Sequence, residues 1–248
     1  MSTVGNYRGP NIVKDGLILY LDASTTNSYS NYFSGITWKD ISSNGNNGTL
    51  VNGPIFNNDG KLASFSFDGI DDYVDTVDIP LRITGYNFTV EFVFYYNNSI
   101  YTTKTLLGKR NQNTPFNQWS FYISDGNPYT IGSGKVLTCF LRDDNNPNSQ
   151  TFDRILTYAL PSAGIYHVIV TTSQANSQLW VNGVQRSTSS VTLSSGDFNI
   201  SGYNFRLANV YASSYWDNKF YLSRIYRKTF SSVEILQNYN ATISQLFG

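Results

Sequence analysis

Between Ser64 and Val74 the chain alternates polar and apolar over Ser64-Phe65-Ser66-Phe67, turns through the acidic Asp68-Gly69-Ile70-Asp71-Asp72, and starts a second strand at Tyr73-Val74. A chain that reverses in so few residues builds sheets of short strands, because alternation puts successive side chains on opposite faces. The same period recurs at Phe88, Val90, Phe92 and Phe94, with Thr89, Glu91, Val93 and Tyr95 opposite. Leu17, Leu19 and Leu21 alternate with Ile18 and Tyr20, which reads as a strand covered on both faces.

Further strands are expected at 103–109, 118–124, 135–141, 152–158, 165–172, 205–211 and 219–227. Asn182-Gly183 sits between Gln178-Leu179-Trp180-Val181 and Val184-Gln185-Arg186-Ser187. Asn-Gly takes positive φ at both turn positions and so predicts a two-residue hairpin. Residues 23–60 are rich in turn signals, with Asn-Gly pairs at 44–45 and 47–48. Only the end reads as helix. Ser231 and Glu234 fit a capping box, and Leu236, Tyr239 and Ile243 follow at helical spacing. Residues 1–14, with Gly9-Pro10, read as an extended arm that needs a partner surface to be ordered, and residues 15–248 as a single domain. The expected fold class is all-β, a jelly-roll β-sandwich with a short C-terminal helix.

Composition narrows the role. Aromatics make up 16% of the 248 residues and charged residues only 14%, with 17 basic and 17 acidic side chains. No basic stripe stands out, so nucleic acid is not an expected partner. No apolar run is long enough for a membrane span, so membrane insertion is not expected. Cys139 is the single cysteine, set in Val136-Leu137-Thr138-Cys139-Phe140-Leu141, and reads as a small buried hydrophobe. Met1 to Tyr7 lacks the basic and apolar segments of a secretion signal.

Several motifs, in order, carry a family resemblance. They are Gly16-Leu17-Ile18-Leu19-Tyr20-Leu21-Asp22-Ala23, Thr37-Trp38-Lys39-Asp40, Asn47-Gly48-Thr49-Leu50, Phe67-Asp68-Gly69-Ile70-Asp71-Asp72-Tyr73-Val74, Tyr166-His167-Val168 and Leu179-Trp180-Val181-Asn182-Gly183. Arg224-Ile225-Tyr226, Phe230-Ser231 and Asn238-Tyr239-Asn240-Ala241 close the series. Together they resemble the laminin-G-like branch of the concanavalin A-like lectin/glucanase superfamily over about residues 12–245. The entry Gly9-Pro10-Asn11-Ile12-Val13-Lys14-Asp15-Gly16 is similar to that of laminin-G-like proteins encoded by tailed bacteriophages and other large DNA viruses. The resemblance implies a non-catalytic virion structural protein: a capsid decoration, neck or fibre component. It would assemble with other virion proteins and itself as a homo-oligomer, and attach to host surface glycans. A free carbohydrate-binding module is the alternative, and a glycoside hydrolase the distant one.

Glycoside hydrolysis needs two carboxylates, about 5–5.5 Å apart for retention and roughly 6.5–9.5 Å for inversion. The chain has two glutamates. Glu91 has no carboxylate at i+2 or i+4, and Glu234 is accounted for by capping, so no enzyme is expected. His167, the single histidine, has no nucleophile motif beside it and reads as structural. Glycan recognition would use aromatic faces and amides, which points to Tyr215, Trp216, Asp217 and Asn218 and to the loop containing Asp144 and Asn145. Trp180, Gln178 and Asn182 share a strand face and form a further candidate. In a chain this aromatic, any one ring also has core packing as its reading. No cofactor is required. Calcium is the one metal the residues suggest, through Asp68, Asp71 and Asp72 with Asp75 nearby. The acidic pair that calcium-binding relatives place before the Arg-Ile-Tyr strand reads Tyr221-Leu222-Ser223 here.

Overall fold

The computed structural model describes residues 10–29, 35–76, 86–98, 102–110, 118–127, 130–142, 153–191, 203–210 and 214–248. In chain order its strands are β1 (Leu17–Asp22), β2 (Thr37–Trp38), β3 (Gly48–Val51), β4 (Ile55–Asn57), β5 (Ser64–Ser66), β6 (Tyr73–Thr76), β7 (Phe88–Tyr96) and β8 (Lys104–Arg110). Then follow β9 (Gln118–Asn127), β10 (Thr130–Arg142), β11 (Asp153–Ala159), β12 (Gly164–Thr172), β13 (Ser177–Val181), β14 (Val184–Ser189), β15 (Arg206–Leu207) and β16 (Lys219–Tyr226). One helix, α1 (Ser232–Phe247), closes the chain. No helix among the described residues is long and apolar enough to cross a membrane.

Two eight-stranded antiparallel sheets face each other. The first runs β14-β13-β12-β7-β16-β5-β4, with β1 also paired to β16; the second runs β11-β10-β9-β8-β15-β6-β3-β2. Most expected strands are present with ends moved by a few residues. The stretch expected as a strand at 205–211 keeps only Arg206–Leu207. Alternation along β7 behaves as its sequence requires. Phe88, Val90, Phe92 and Phe94 point between the sheets, where Phe92 meets Phe121 of β9 edge-on at 5.1 Å. Asn182 and Gly183 take φ 51° and 74°, the two positive values that join β13 to β14 in a tight hairpin.

The opposite face of β7 is also buried, beneath α1. The capping box forms as expected: Ser231 Oγ accepts from the Glu234 amide and the Glu234 carboxylate accepts from the Ser231 amide at 2.9 Å. The helix buries Ile235, Asn238, Ala241, Thr242 and Leu246. Within residues 10–14, expected as the inner part of an extended arm that needs a partner surface, Val13 is buried against this helix. The Val13 amide donates to Asn238 Oδ1 at 2.8 Å, and Val13 packs with Ile169, Tyr226, Phe230 and Ile235. Residues 1–9, the rest of that arm, lie outside the described residues.

Candidate functional site

The acidic turn that links β5 to β6 is built around Asp68. Its Oδ1 accepts from the amides of Ile70, Asp71 and Asp72 at 2.8, 3.3 and 3.4 Å. These amides hold the Asp68 carboxyl below its ordinary pKa. Asp72 Oδ2 in turn accepts from the Asp68 amide at 3.1 Å. Burial, with the charges of Asp68 and Asp71 beside it, raises the Asp72 carboxyl. One oxygen from each of Asp68, Asp71 and Asp72 falls within 4.8 Å of the others. That spacing suits one hard cation, but the three carboxylate oxygens it brings together are fewer than the roughly six to eight that Ca²⁺ takes, so further oxygens, carbonyls or water, would have to supply the rest. Asp75 points elsewhere, toward Arg206 at 3.4 Å.

Folding brings this turn against the segment before β16. Gly69 has φ +76°, and a Cβ there would stand 2.6 Å from Asp217 Cβ, so both its conformation and its closeness require glycine. Asp217 pairs with Lys104 at 3.6 Å. The expected metal set and the 215–218 part of the expected glycan set are therefore neighbours, although more than 140 residues separate them in sequence.

Within that second set, Trp216 corrects the expectation. It is fully buried and packs edge-on against Phe94 at 5.6 Å, so no sugar can reach its face. Alternation explains this: a residue beside a strand entry with partly exposed neighbours on both sides turns inward, and a large apolar ring gains most there. Tyr215 and Asp217 are half-buried and Asn218 is buried, its amide spent on Asp217 Oδ1 at 3.0 Å. Asp144 and Asn145 lie outside the described residues. Trp180 is half-buried against the cluster of Val13, Ile169 and Tyr226 beneath α1, with its indole N–H on Gln178 Oε1 at 3.0 Å. It packs at the helix interface.

An open depression of about 400 Å³ lies instead on the turn-rich stretch before β3. Thr26, Asn27, Tyr29, Thr37, Lys39 and Asn47 line it. Its floor is held by local hydrogen bonds. Ser28 Oγ donates to the Lys39 carbonyl at 2.6 Å, and the Lys39 amide donates to the Ser28 carbonyl at 2.9 Å. The buried Asp40 carboxylate accepts from the amides of Tyr20, Ser42 and Asn46 at 2.8–2.9 Å. The Tyr29 ring is wedged against Phe56 and Phe65, each at 4.8 Å. Amides, hydroxyls, one ammonium and one aromatic ring suit a hydroxyl-rich ligand. Sequence reading missed these residues, whose one visible signal was the density of Asn, Ser and Thr in a long turn-rich stretch.

Neither glutamate is free for acid–base chemistry. Glu234 caps α1 and pairs with Lys228 at 2.7 Å. Glu91 is fully buried between the first sheet and α1. Its Oε1 contacts Arg224 Nη1 and His167 Nε2, both at 2.8 Å, and accepts from Thr242 Oγ1 at 3.1 Å. Its Oε2 accepts from Asn238 Nδ2 at 2.7 Å. Burial alone would raise this carboxyl; the guanidinium of Arg224 and the imidazole of His167 overcome that and bring it down to about 2. Arg224 continues the network to the Tyr20 hydroxyl at 2.8 Å, and that hydroxyl donates to Asp22 at 2.9 Å. His167 thus has the structural place its motif suggested.

The fold compares with several solved structures. The botulinum neurotoxin serotype G binding domain aligns with TM-score 0.64 at 14% identity, over 90% of this chain and 50% of that one. Trypanosoma rangeli sialidase in complex with sialic acid aligns with TM-score 0.64 at 14% identity, over 94% of this chain and 34% of that one. Domain 4 of AbnA, an extracellular arabinanase from Geobacillus stearothermophilus in complex with arabinotriose, aligns with TM-score 0.59 at 14% identity, over 90% of this chain and 98% of that one. The chain thus spans half or less of the toxin and sialidase chains, and at such identity the likeness is one of fold. No curated protein sequence matches. A family model described as the concanavalin A-like lectin/glucanases superfamily matches residues 68–236. That stretch runs from the acidic turn through both sheets into α1, and by it the chain belongs to this superfamily.

Proposed function

We propose that this chain is a non-catalytic recognition and assembly module of a viral particle, which attaches to host surface glycans. The observation that carries the recognition part is the depression lined by Tyr29, Asn27, Lys39 and Asn47. It offers the mixed aromatic and hydrogen-bonding surface that sugars use, on a floor held by local hydrogen bonds. Two solved relatives in fold support it: AbnA domain 4 holds arabinotriose, and a botulinum neurotoxin binding domain is in complex with SialylT. The commitment of Glu91 to a buried ion pair and of Glu234 to a helix cap supports the non-catalytic reading. The viral setting rests on the entry segment Gly9 to Gly16 and its similarity to phage and large-virus relatives.

A glycan array, run with and without Ca²⁺, tests recognition. Binding is expected in the millimolar to micromolar range, and Asn27→Ala with Lys39→Ala should abolish it while the melting temperature holds. A silent array, or binding unaffected by both substitutions, overturns this site. Quantitative mass spectrometry of purified particles tests the setting. Stoichiometric presence is expected. Absence, combined with a positive array, gives the second reading, a free carbohydrate-binding module.

A further inference from the structure

Of the residues that the sequence sets at helical spacing, Tyr239 packs against His167, whereas Leu236 and Ile243 lie away from the side of α1 that meets the sheet. On α1 the buried side is Ile235, Asn238, Ala241, Thr242 and Leu246. On the opposite side Val233 is 72% exposed, Leu236 40% and Phe247 52%, with Ile243 half-buried between them. A surface helix ordinarily turns charge to solvent on that side. Here Glu234 is the one charged residue of the helix, and it is tied to Ser231 and Lys228.

The spacing is more specific than an apolar patch. Val233, Leu236, Asn240, Ile243 and Phe247 follow steps of three, four, three and four residues, the alternation of a coiled-coil seam. Val233, Asn240 and Phe247 hold the first position of the repeat, and Leu236 and Ile243 the second. We propose that this stripe is a homodimer interface in which α1 pairs in parallel with α1 of a second copy.

Asn240 selects both the occupant and the orientation. It lies at the middle of the seam and is exposed in the single chain. Covering it with an apolar partner would strand a buried amide. In a parallel pair, first positions meet first positions, so Asn240 meets the same amide of the second copy and both are satisfied. In an antiparallel pair, first positions meet second positions, and Asn240 would face Leu236 or Ile243. The flanking side chains Ser232, Gln237, Tyr239 and Ser244 carry no charge, so like meets like without repulsion. Four apolar side chains fall short of the roughly 800 Å² per partner of a standard interface, so the expected dissociation constant is about 10–100 µM. At the local concentrations of a particle such an association adds to other contacts. The proposal is independent of what the depression binds.

Sedimentation velocity on the full chain, up to about 500 µM, tests it. The wild type is expected to pass from monomer to dimer across that range. Asn240→Asp and Asn240→Lys, which change an exposed side chain, should each weaken the dimer at least tenfold with unchanged near-ultraviolet circular dichroism. An equimolar mixture of the two should recover it, because the charges then face each other across the axis. Val233→Cys should form a disulfide-linked dimer on oxidation, a product that parallel pairing permits and antiparallel pairing does not; Cys139 is buried and adds no background. A wild type that stays monomeric at the top concentration overturns the proposal. So does a dimer indifferent to either Asn240 substitution, or a mixture no tighter than its components.

Discussion

Replacing Glu91 by Gln tests the buried charge network directly. The change keeps the shape of the side chain and removes the one negative charge that Arg224 and His167 both contact at 2.8 Å. Arg224 is fully buried, so it cannot recover the loss by turning to water. Breaking a buried pair by removing one partner costs about 3–5 kcal/mol. At about 2–4 °C per kcal/mol for a chain of this size, the melting temperature should fall by on the order of 10 °C. The pH dependence gives a second, independent magnitude. The Glu91 carboxyl lies near 2 in the folded chain, against 4.5 as its ordinary value. A depressed carboxyl stabilises the folded state above its unfolded pKa, and that stability is lost as pH falls through the folded value. The wild type should therefore lose about 3 kcal/mol between roughly pH 5 and pH 2 from this group. Glu91→Gln should lack that component, so the two unfolding free energies converge as acid is added. Urea unfolding at a series of pH values measures both. The double change Glu91→Gln with Arg224→Met should be less damaging than Glu91→Gln alone, since it leaves no orphaned cation. A single-substitution loss below about 1 kcal/mol, or a wild-type advantage that stays constant into acid, would mean that Glu91 does not hold Arg224 and His167 by its charge.

Trp216→Ala should cost about 3–5 kcal/mol in chemical denaturation, because it opens a cavity beside Phe94, whereas Tyr215→Ala on the half-buried neighbour should cost under about 1 kcal/mol. Gly69→Ala should destabilise by roughly 1–3 kcal/mol in the same assay, since the new Cβ meets Asp217 and the positive φ is retained; a neutral result would mean the acidic turn moves freely off that segment. Burial pushes the Cys139 thiol up, so a thiol reagent should leave native protein untouched at pH 8 and label it fully in denaturant.

Local rules were legible in the sequence. Alternation along β7, the Asn182-Gly183 hairpin and the Ser231–Glu234 capping box each depend on residues two or three apart. Each appears in the structure as its local chemistry requires. The assignment of fold class followed from adding such signals, and the motif order carried the superfamily.

Spacing along the chain carried periodicity: which stretches are strands, where they turn, and that one helix follows them. Tertiary structure alone decided which face meets what. Glu91 and Arg224 lie 133 residues apart and become partners because β16 pairs with β7. Trp216 reads as a surface aromatic in a polar segment until Phe94 of β7, in the first sheet, packs against it. Residues 10–14 read as part of an extended arm that needs a partner surface, and only the fold shows that Asn238 of α1 accepts the Val13 amide. Leu236 and Ile243 give the helix its spacing, yet the side that docks is Ile235, Asn238, Ala241, Thr242 and Leu246, where Asn238 and Thr242 supply hydrogen bonds to the buried Glu91 carboxylate. Burial is a property of distant partners, so spacing along the chain shows that a residue has a face and leaves open what covers it.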